Sequence, residues 1–217
     1  MSSASAQSRE RLSFPGVRAP RALLPPEAER KLTARQRELL DELEKLVTAE
    51  GLAELTMAEI AAELNCSLRT LYGIAPSKEE LVLTVVDRRL HRIGRKAIGS
   101  LDASLSPLDA LRSYLQAVSE AVQPETVAFS REFSAVPGAQ RLLDGHERYV
   151  MAMAQNLLDR AVAAKQIAPV DTAAFAHVLG GLGREFSRPE VAEVAKRSPK
   201  ATADAIARII LRGLERG

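Results

Sequence analysis

The chain has 217 residues, of which 46% are hydrophobic, and a formal net charge of +2 at pH 7. This length permits one or two domains with hydrophobic cores, and the absence of an 18-residue apolar run argues against a membrane span. The N-terminus lacks the apolar stretch of a secretory signal, and the single cysteine excludes an internal disulfide. We therefore expect a cytoplasmic protein. Because the charge is nearly balanced, any DNA contact must come from a local basic patch.

The first 31 residues are rich in Ser, Ala, Pro and Arg, with six basic and three acidic side chains. This composition predicts a disordered basic arm over residues 1–31. One interpretation is a solvated tail. The other is that Arg18, Arg21, Arg30 and Lys31 reach DNA phosphates or a minor groove.

Ordered structure is predicted to begin at Thr33, because Thr33 and Gln36 have the spacing of a capping box. Leucines then recur at helical spacing, and Gly51 is predicted to end this helix. Thr56 and Glu59 form a second capping-box pair, so another helix should start at Thr56.

A tight turn and a second short helix follow. Asn65 is expected to end the preceding helix, because Asn tolerates the left-handed conformation. Ser67 should cap the next helix, and Gly73 and Pro76 should close it. Two helices this short cannot bury themselves alone, and the turn between them is typical of a helix-turn-helix, whose second helix lies in the DNA major groove.

The segment from about residue 34 to 95 resembles the TetR family of bacterial transcriptional regulators. Leu68 and Arg69 replace a Lys-Gly pair that is common in the family, and Asn65 stands where the family usually has glycine. The residues that carry the resemblance are Thr56, Ile60, Ala61, Ser67, Thr70, Leu71, Tyr72, Pro76, Ser77, Lys78, Glu79 and Leu81.

The resemblance implies DNA contacts from the second short helix and its surroundings. Arg69 is the candidate for reading a guanine edge, with a phosphate contact as the equal alternative. Tyr72 is expected to place its hydroxyl on a phosphate, with a packing role as the alternative. Lys78, in the first turn of a helix, should complete a phosphate site. The full set of DNA-binding candidates is Thr56, Ser67, Leu68, Arg69, Thr70, Tyr72 and Lys78.

The rest of the chain reads as helices separated by breaks. Ser77 and Glu80 predict the cap of a longer helix that runs to about Ala97, and residues 99–106 are a plausible boundary. This divides a DNA-binding domain of residues 32–98 from a C-terminal domain of residues 99–217. Further helix starts or breaks are expected at Pro107, Pro124, Pro137-Gly138, Pro169, Asp171 and Ser198. No segment shows sustained strand alternation, so the predicted fold class is all-α.

The C-terminal domain is expected to dimerise and to bind an effector. The helices that start near Asp171 and Ser198 carry small and apolar residues suited to a four-helix interface. A small apolar or amphipathic effector is expected in the helical interior, although core packing is the alternative for each candidate. The candidates are Tyr114, Phe129, Arg131, Phe133, His146, Tyr149, Met153, Phe175 and His177, with Phe186 as a further large side chain.

The sequence lacks the patterns of catalytic, cofactor and metal sites. There is no phosphate-binding glycine loop and no nucleophile elbow. The three histidines look too scattered for a metal site, and Cys66 is interpreted as packing rather than as a redox sensor. From the absence of these patterns we expect neither an enzyme nor a cofactor. The resemblance implies a ligand-responsive homodimeric repressor of palindromic operator DNA. The alternatives are an all-α enzyme and a constitutive DNA-binding protein without an effector.

Overall fold

The computed structural model describes residues 12–49, 55–121, 133–186, 188, 191 and 196–216, and these residues form helices and no β-strand. The predicted all-α class is confirmed. No helix in this part of the chain is long and apolar enough to span a membrane. The helices are α1 (Pro26–Lys31), α2 (Ala34–Ala49), α3 (Met57–Glu63), α4 (Leu68–Tyr72), α5 (Lys78–Gly99), α6 (Pro107–Ala121), α7 (Ala139–Ala163), α8 (Thr172–Phe186) and α9 (Pro199–Arg216).

The helix starts lie where the capping residues predict them. The N–H of Thr33 donates to Oε1 of Gln36 over 2.9 Å, and the N–H of Gln36 donates back to Oγ1 of Thr33 over 3.2 Å. Asp171 Oδ1 accepts from the N–H of Ala174 in the first turn of α8. The predicted helix end at Gly51 and the segment from Pro124 to residue 132 lie outside the described residues.

The predicted disordered arm is corrected in its second part. Pro26 occupies the first turn of α1, where its fixed φ favours a helix and its missing N–H costs nothing. Leu24 and Leu32, on either side of α1, pack against a hydrophobic core. The prediction was wrong here because proline-rich composition is shared by disordered arms and by short proline-started helices. Residues 1–11 lie outside the described residues.

The chain divides into two compact units, which we call the N-unit and the C-unit. The N-unit is drawn from Ala19–Ile93 and Val122–His146. Its core lies among α2, α3, α4 and the first half of α5. The side chains that are almost fully buried in it are Leu39, Leu40, Leu43, Val47, Ile60, Leu71 and Leu81.

The C-unit is drawn from Met1–Arg18, Gly94–Ala121 and Glu147–Gly217. Within it, α9 packs against α8 and α6. A Cβ atom added at Gly180 of α8 would lie 2.5 Å from Cγ of Met151 on α7, so close helix packing accounts for this glycine. The largest buried side chains are Leu111, Tyr114, Met153, Leu157 and Leu158.

The division between the units falls between Ile93 and Gly94. The domain boundary predicted from the sequence, at residues 99–106, follows the end of α5 and stays a prediction. Helix α5 has 22 residues, of which those up to Ile93 belong to the N-unit and the rest to the C-unit.

Candidate nucleic-acid interface

The first helix of the motif, α3, begins with a complete capping box. Oγ1 of Thr56 accepts from the N–H of Glu59, and a carboxylate oxygen of Glu59 accepts from both the N–H and the hydroxyl of Thr56 over 2.8 Å. The hydrogen bond from the Thr56 backbone, followed by that from its hydroxyl, lowers the pKa of Glu59. The start of α3 is therefore fixed locally, and the hydroxyl of Thr56 already binds a carboxylate.

The turn between α3 and α4 has the predicted left-handed residue. Asn65 has a φ of 47°, which ends α3 without requiring a glycine. The N–H of Cys66 then donates to the carbonyl of Ala61 over 2.9 Å. Cys66 packs against the core of the N-unit, and burial raises the pKa of its thiol. This agrees with the interpretation of Cys66 as a packing residue, because a raised pKa disfavours the reactive thiolate.

The second helix, α4, presents one face to the core and another to solvent. The hydroxyl of Ser67 accepts from the N–H of Thr70 over 3.1 Å and lies 2.7 Å from the hydroxyl of Thr70. Leu71 is fully buried, which anchors α4 on the N-unit. The outward face carries Leu68 (40% exposed), Arg69 and Tyr72 (51% exposed). An arginine beside two exposed apolar surfaces is suited to contact with base edges and phosphates.

Lys78 is held at the start of α5. Its Nζ donates to the carbonyl of Leu55 over 3.0 Å, which ties α5 to the segment just before α3. Ser77 caps α5 through the N–H of Glu80 over 3.1 Å, as predicted. The ammonium thus lies beside a helix N-terminus, the arrangement expected for an anion contact.

The effector-pocket candidates lie in several different places. Tyr114 and Met153 are buried in the core of the C-unit, and Tyr149 and Phe175 pack against that core. Phe133 belongs to the core of the N-unit.

The remaining candidates are polar or lie beyond the described part. His146 forms a hydrogen bond with Asp87, whereas His177 is exposed to solvent. Phe129 and Arg131 lie outside the described residues. The structure therefore gathers only part of the set in one core.

The expectation that the histidines are scattered is wrong for two of them. The rings of His91 and His146 have centroids 4.8 Å apart, and both approach the carboxylate of Asp87. Asp87 and His91 lie one helical turn apart on α5, a spacing visible in the sequence. His146 comes from α7, and nothing local in the sequence indicates that it joins them.

Residues 39–85 match the family model described as "Bacterial regulatory proteins, tetR family". A protein of Mycobacterium tuberculosis, named an uncharacterized HTH-type transcriptional regulator, is 35% identical over 85 residues. These residues make up 37% of this chain and 42% of that relative, so the chain spans less than half the length of the curated relative it matches. The curated match therefore concerns only part of each protein.

Solved structures extend the likeness over most of the chain. A TetR transcription regulator from Haloarcula marismortui has a TM-score of 0.70 at 17% identity, with 84% of this chain and 99% of that chain covered. A transcriptional regulator from Cytophaga hutchinsonii has a TM-score of 0.63 at 14% identity, with 85% and 98% covered. A TetR family regulator from Agrobacterium tumefaciens has a TM-score of 0.61 at 16% identity, with 84% and 98% covered.

At these identities the structural likeness shows the fold, and the sequence match to the family concerns residues 39–85. The matched segment contains the capped α3, the left-handed turn at Asn65 and the outward face of α4. Residues 39–85 of this chain are therefore similar to the tetR family of bacterial regulatory proteins, and most of the chain shares the fold of solved TetR regulators.

Proposed function

We propose that this regulator is a ligand-responsive repressor that binds palindromic operator DNA as a homodimer. The observation that carries the proposal is the outward face of α4, where Leu68, Arg69 and Tyr72 are exposed while Leu71 holds the helix on the core. In this proposal residues 32–98 bind DNA, and residues 99–217 dimerise and bind the effector.

The proposed DNA contacts divide into base readout and phosphate binding. Arg69 forms no ion pair within the described residues, so its guanidinium is available for a guanine edge or a phosphate. Leu68 and Thr70 are assigned to a thymine methyl group. Tyr72 and Lys78 are assigned to phosphates, which position the helix without reading sequence.

Ser67 and Thr56 have supporting parts in this scheme. Ser67 fixes the start of α4 through its hydrogen bonds to Thr70. Thr56 is the weaker phosphate candidate, because its hydroxyl already donates to the Glu59 carboxylate. Removing either capping side chain should therefore destabilise the start of its helix rather than remove a direct DNA contact.

The proposed dimer uses the exposed parts of α8 and α9. Val178 of α8 is 47% exposed and Ile209 of α9 is 69% exposed, although these two helices pack against each other. Some small and apolar residues of α9 pack inside the C-unit instead, since Ala203 and Leu214 are buried. A second copy that covers Val178 and Ile209 would form a four-helix interface with twofold symmetry.

The proposed effector site lies in the C-unit. The hydroxyl of Tyr114 is buried and has no hydrogen-bond partner among the described residues. Burial is also the first cause of the raised pKa of this phenol. A buried polar group without a partner is costly, so a ligand that supplies one gains affinity there. We therefore assign the site to an apolar or amphipathic molecule with one polar group, among the core residues Tyr114, Met153 and Leu157.

The proposed mechanism is a population shift. An effector that prefers the DNA-free conformation lowers operator affinity, and by reciprocity operator DNA lowers effector affinity by the same factor. The competing functions are a constitutive DNA-binding protein, for which no ligand changes operator affinity, and an all-α enzyme, for which DNA binding is incidental.

Fluorescence anisotropy tests the proposal with a duplex from the genomic region upstream of the coding sequence and a random duplex of equal length. We expect tighter binding to the upstream duplex at physiological salt and loss of that preference in Arg69→Ala. Arg148→Ala, an exposed arginine on α7, is the control and should bind as the wild type does. Equal affinity of the wild type for both duplexes would contradict the regulator proposal.

A second measurement addresses the effector. Thermal denaturation is followed in the presence of a library of apolar compounds, because a ligand of the folded state raises the melting temperature. Each hit is then tested for release of the upstream duplex. Hits that bind without changing operator affinity would favour the constitutive binder.

A further inference from the structure

Asp87, His91 and His146 form a compact polar cluster in the N-unit. Nε2 of His146 lies 2.9 Å from Oδ1 of Asp87, and Nε2 of His91 lies 3.5 Å from the same oxygen. One ligand atom from each residue lies within 4.8 Å of the others. Two imidazole nitrogens and one carboxylate oxygen therefore converge on one small region.

We propose that this cluster is a binding site for a divalent transition-metal ion of the zinc class. The ligands are Nε2 of His91, Nε2 of His146 and Oδ1 of Asp87, with water in the fourth position. Imidazole and carboxylate ligands in this combination suit Zn²⁺ rather than Mg²⁺ or Ca²⁺, which prefer oxygen ligands alone. This inference goes beyond the proposed function and does not depend on it.

Two of the three distances between ligand atoms lie near those of tetrahedral coordination, and the third is at most 4.8 Å. Bonds of about 2.0–2.2 Å from Zn²⁺ to nitrogen and oxygen place neighbouring ligand atoms roughly 3.3–3.5 Å apart. The two distances from Asp87 Oδ1, 2.9 Å and 3.5 Å, lie close to this range. The histidine rings meet edge to face, with an angle of 77° between their planes. Small side-chain rotations complete the geometry.

The surroundings orient the carboxylate. Oδ2 of Asp87 accepts a hydrogen bond from the backbone N–H of Leu23 over 2.8 Å, which leaves Oδ1 directed at the two histidines. Such outer partners fix the orientation of metal ligands. The neighbouring Arg88 pairs with Glu29 and Asp41 and is thereby directed elsewhere.

The cluster is mostly buried. The side chain of Asp87 is 4% exposed, whereas those of His91 and His146 are 14% and 11% exposed. The carboxylate is thus shielded and Nε2 of His91 is itself buried, while other parts of the imidazole rings reach solvent. A bound ion would therefore be largely shielded from solvent.

Isothermal titration of the tag-free, chelator-treated chain with Zn²⁺ tests the site. We expect one Zn²⁺ ion per chain. Asp87→Asn or His146→Gln removes a ligand and should weaken Zn²⁺ binding by more than roughly 100-fold, the largest effect expected from losing an outer hydrogen-bond partner. His177→Gln removes the chain's remaining histidine, which is exposed, and should bind Zn²⁺ as the wild type does. Binding that survives in Asp87→Asn, or none in the wild type, would overturn the proposal.

Two further measurements guard against variants that fail to fold. NMR of the wild-type imidazoles should show Zn²⁺-dependent shifts at Nε2 of His91 and His146 and none at His177. Leu23→Pro removes the outer N–H donor at an exposed side chain and should weaken Zn²⁺ binding about 10- to 100-fold with helicity unchanged by circular dichroism. If all three histidines shift alike, or none does, the cluster is only a hydrogen-bonded Asp–His pair and the metal site is excluded.

Discussion

Nη1 of Arg88 on α5 donates a 2.6 Å hydrogen bond to Oδ1 of Asp41 on α2. Nε of the same guanidinium donates to Oε1 of Glu29 on α1 over 3.0 Å. Burial lowers the pKa of Arg88, but the hydrogen bonds to Asp41 and Glu29 outweigh it, so the pKa is raised overall. One side chain thus links three helices of the N-unit.

Replacing this arginine should destabilise the N-unit. Arg88→Ala removes two charge-assisted hydrogen bonds, and because Asp41 is 54% exposed we expect a loss of only about 1–2 kcal/mol in the free energy of unfolding. Arg88→Lys should recover only part of the lost stability. Its ammonium keeps the positive charge but cannot form the two hydrogen bonds of the planar guanidinium together. Urea denaturation measures both, with exposed Arg37→Ala as the control. A loss no larger than the control's would show that the link is not stabilising.

Arg69 and Lys78 should affect DNA binding in different ways. If Arg69 reads a base edge, Arg69→Ala costs about 1–3 kcal/mol at one base position and relaxes preference there. Lys78→Ala should weaken binding to all DNA sequences alike and reduce the salt dependence of binding. Tyr72→Ala should also weaken binding to all DNA sequences alike. Anisotropy with single-base operator variants at several salt concentrations separates these cases. Uniform weakening by Arg69→Ala would assign this arginine to a phosphate.

The capping box of α3 should make stability depend on pH. Hydrogen bonds from Thr56 hold the pKa of Glu59 below its ordinary value of 4.5. A lowered folded-state pKa stabilises the fold at pH above 4.5, and this contribution is lost as the pH falls through the folded-state pKa. Glu59→Gln retains an acceptor but does not titrate. Urea unfolding at a series of pH values should show the advantage of wild type shrinking in acid, and a pH-independent difference would contradict the assignment.

Two adjacent glycines of α8 should respond oppositely to alanine. In Gly180→Ala the new Cβ meets Cγ of Met151 at 2.5 Å, so overpacking should cost about 1–3 kcal/mol and outweigh the gain in helix propensity. In Gly181→Ala the nearest atom is Oε1 of Glu147 at 3.8 Å, and stability should rise by roughly 0.5–1 kcal/mol. Thermal unfolding compares them. Equal effects would mean that Met151 moves aside freely.

A charge on the outer face of α9 should separate the dimer without unfolding the chain. Ile209 is 69% exposed, so Ile209→Asp adds no buried charge to the monomer, whereas in the proposed interface it is desolvated. Sedimentation at micromolar concentration should show a dimer for wild type and a monomer for the variant, with helicity preserved. Leu143→Asp, at an exposed apolar residue of α7, is the control. A dimer that persists in Ile209→Asp would place the interface elsewhere.

The helix starts were predictable because a capping interaction joins residues only three positions apart. Thr33, Thr56, Ser67, Ser77 and Asp171 all cap their helices as the sequence indicates. The turn at Asn65 was predictable for the same reason, since its conformation depends on the residue itself.

The polar cluster around Asp87 was not predictable, because its members are distant in sequence. His146 is 59 residues from Asp87, and Leu23 is 64 residues from it. Only tertiary packing brings them together. The packing of α8 against α9 likewise determines that Val178 and Ile209 are exposed and that Ala203 is buried. The helical spacing of apolar residues alone does not predict this packing.

The hydrogen bond from Leu23 to Asp87 bears on where the DNA-binding fragment starts. The family match begins at residue 39, inside α2, and would suggest a truncation just before that helix. Such a truncation would delete the N–H donor to a buried carboxylate, the Glu29 partner of Arg88 and the packing of Leu24. A fragment that keeps these contacts therefore begins upstream of the matched segment, near Ala19, where the N-unit itself starts.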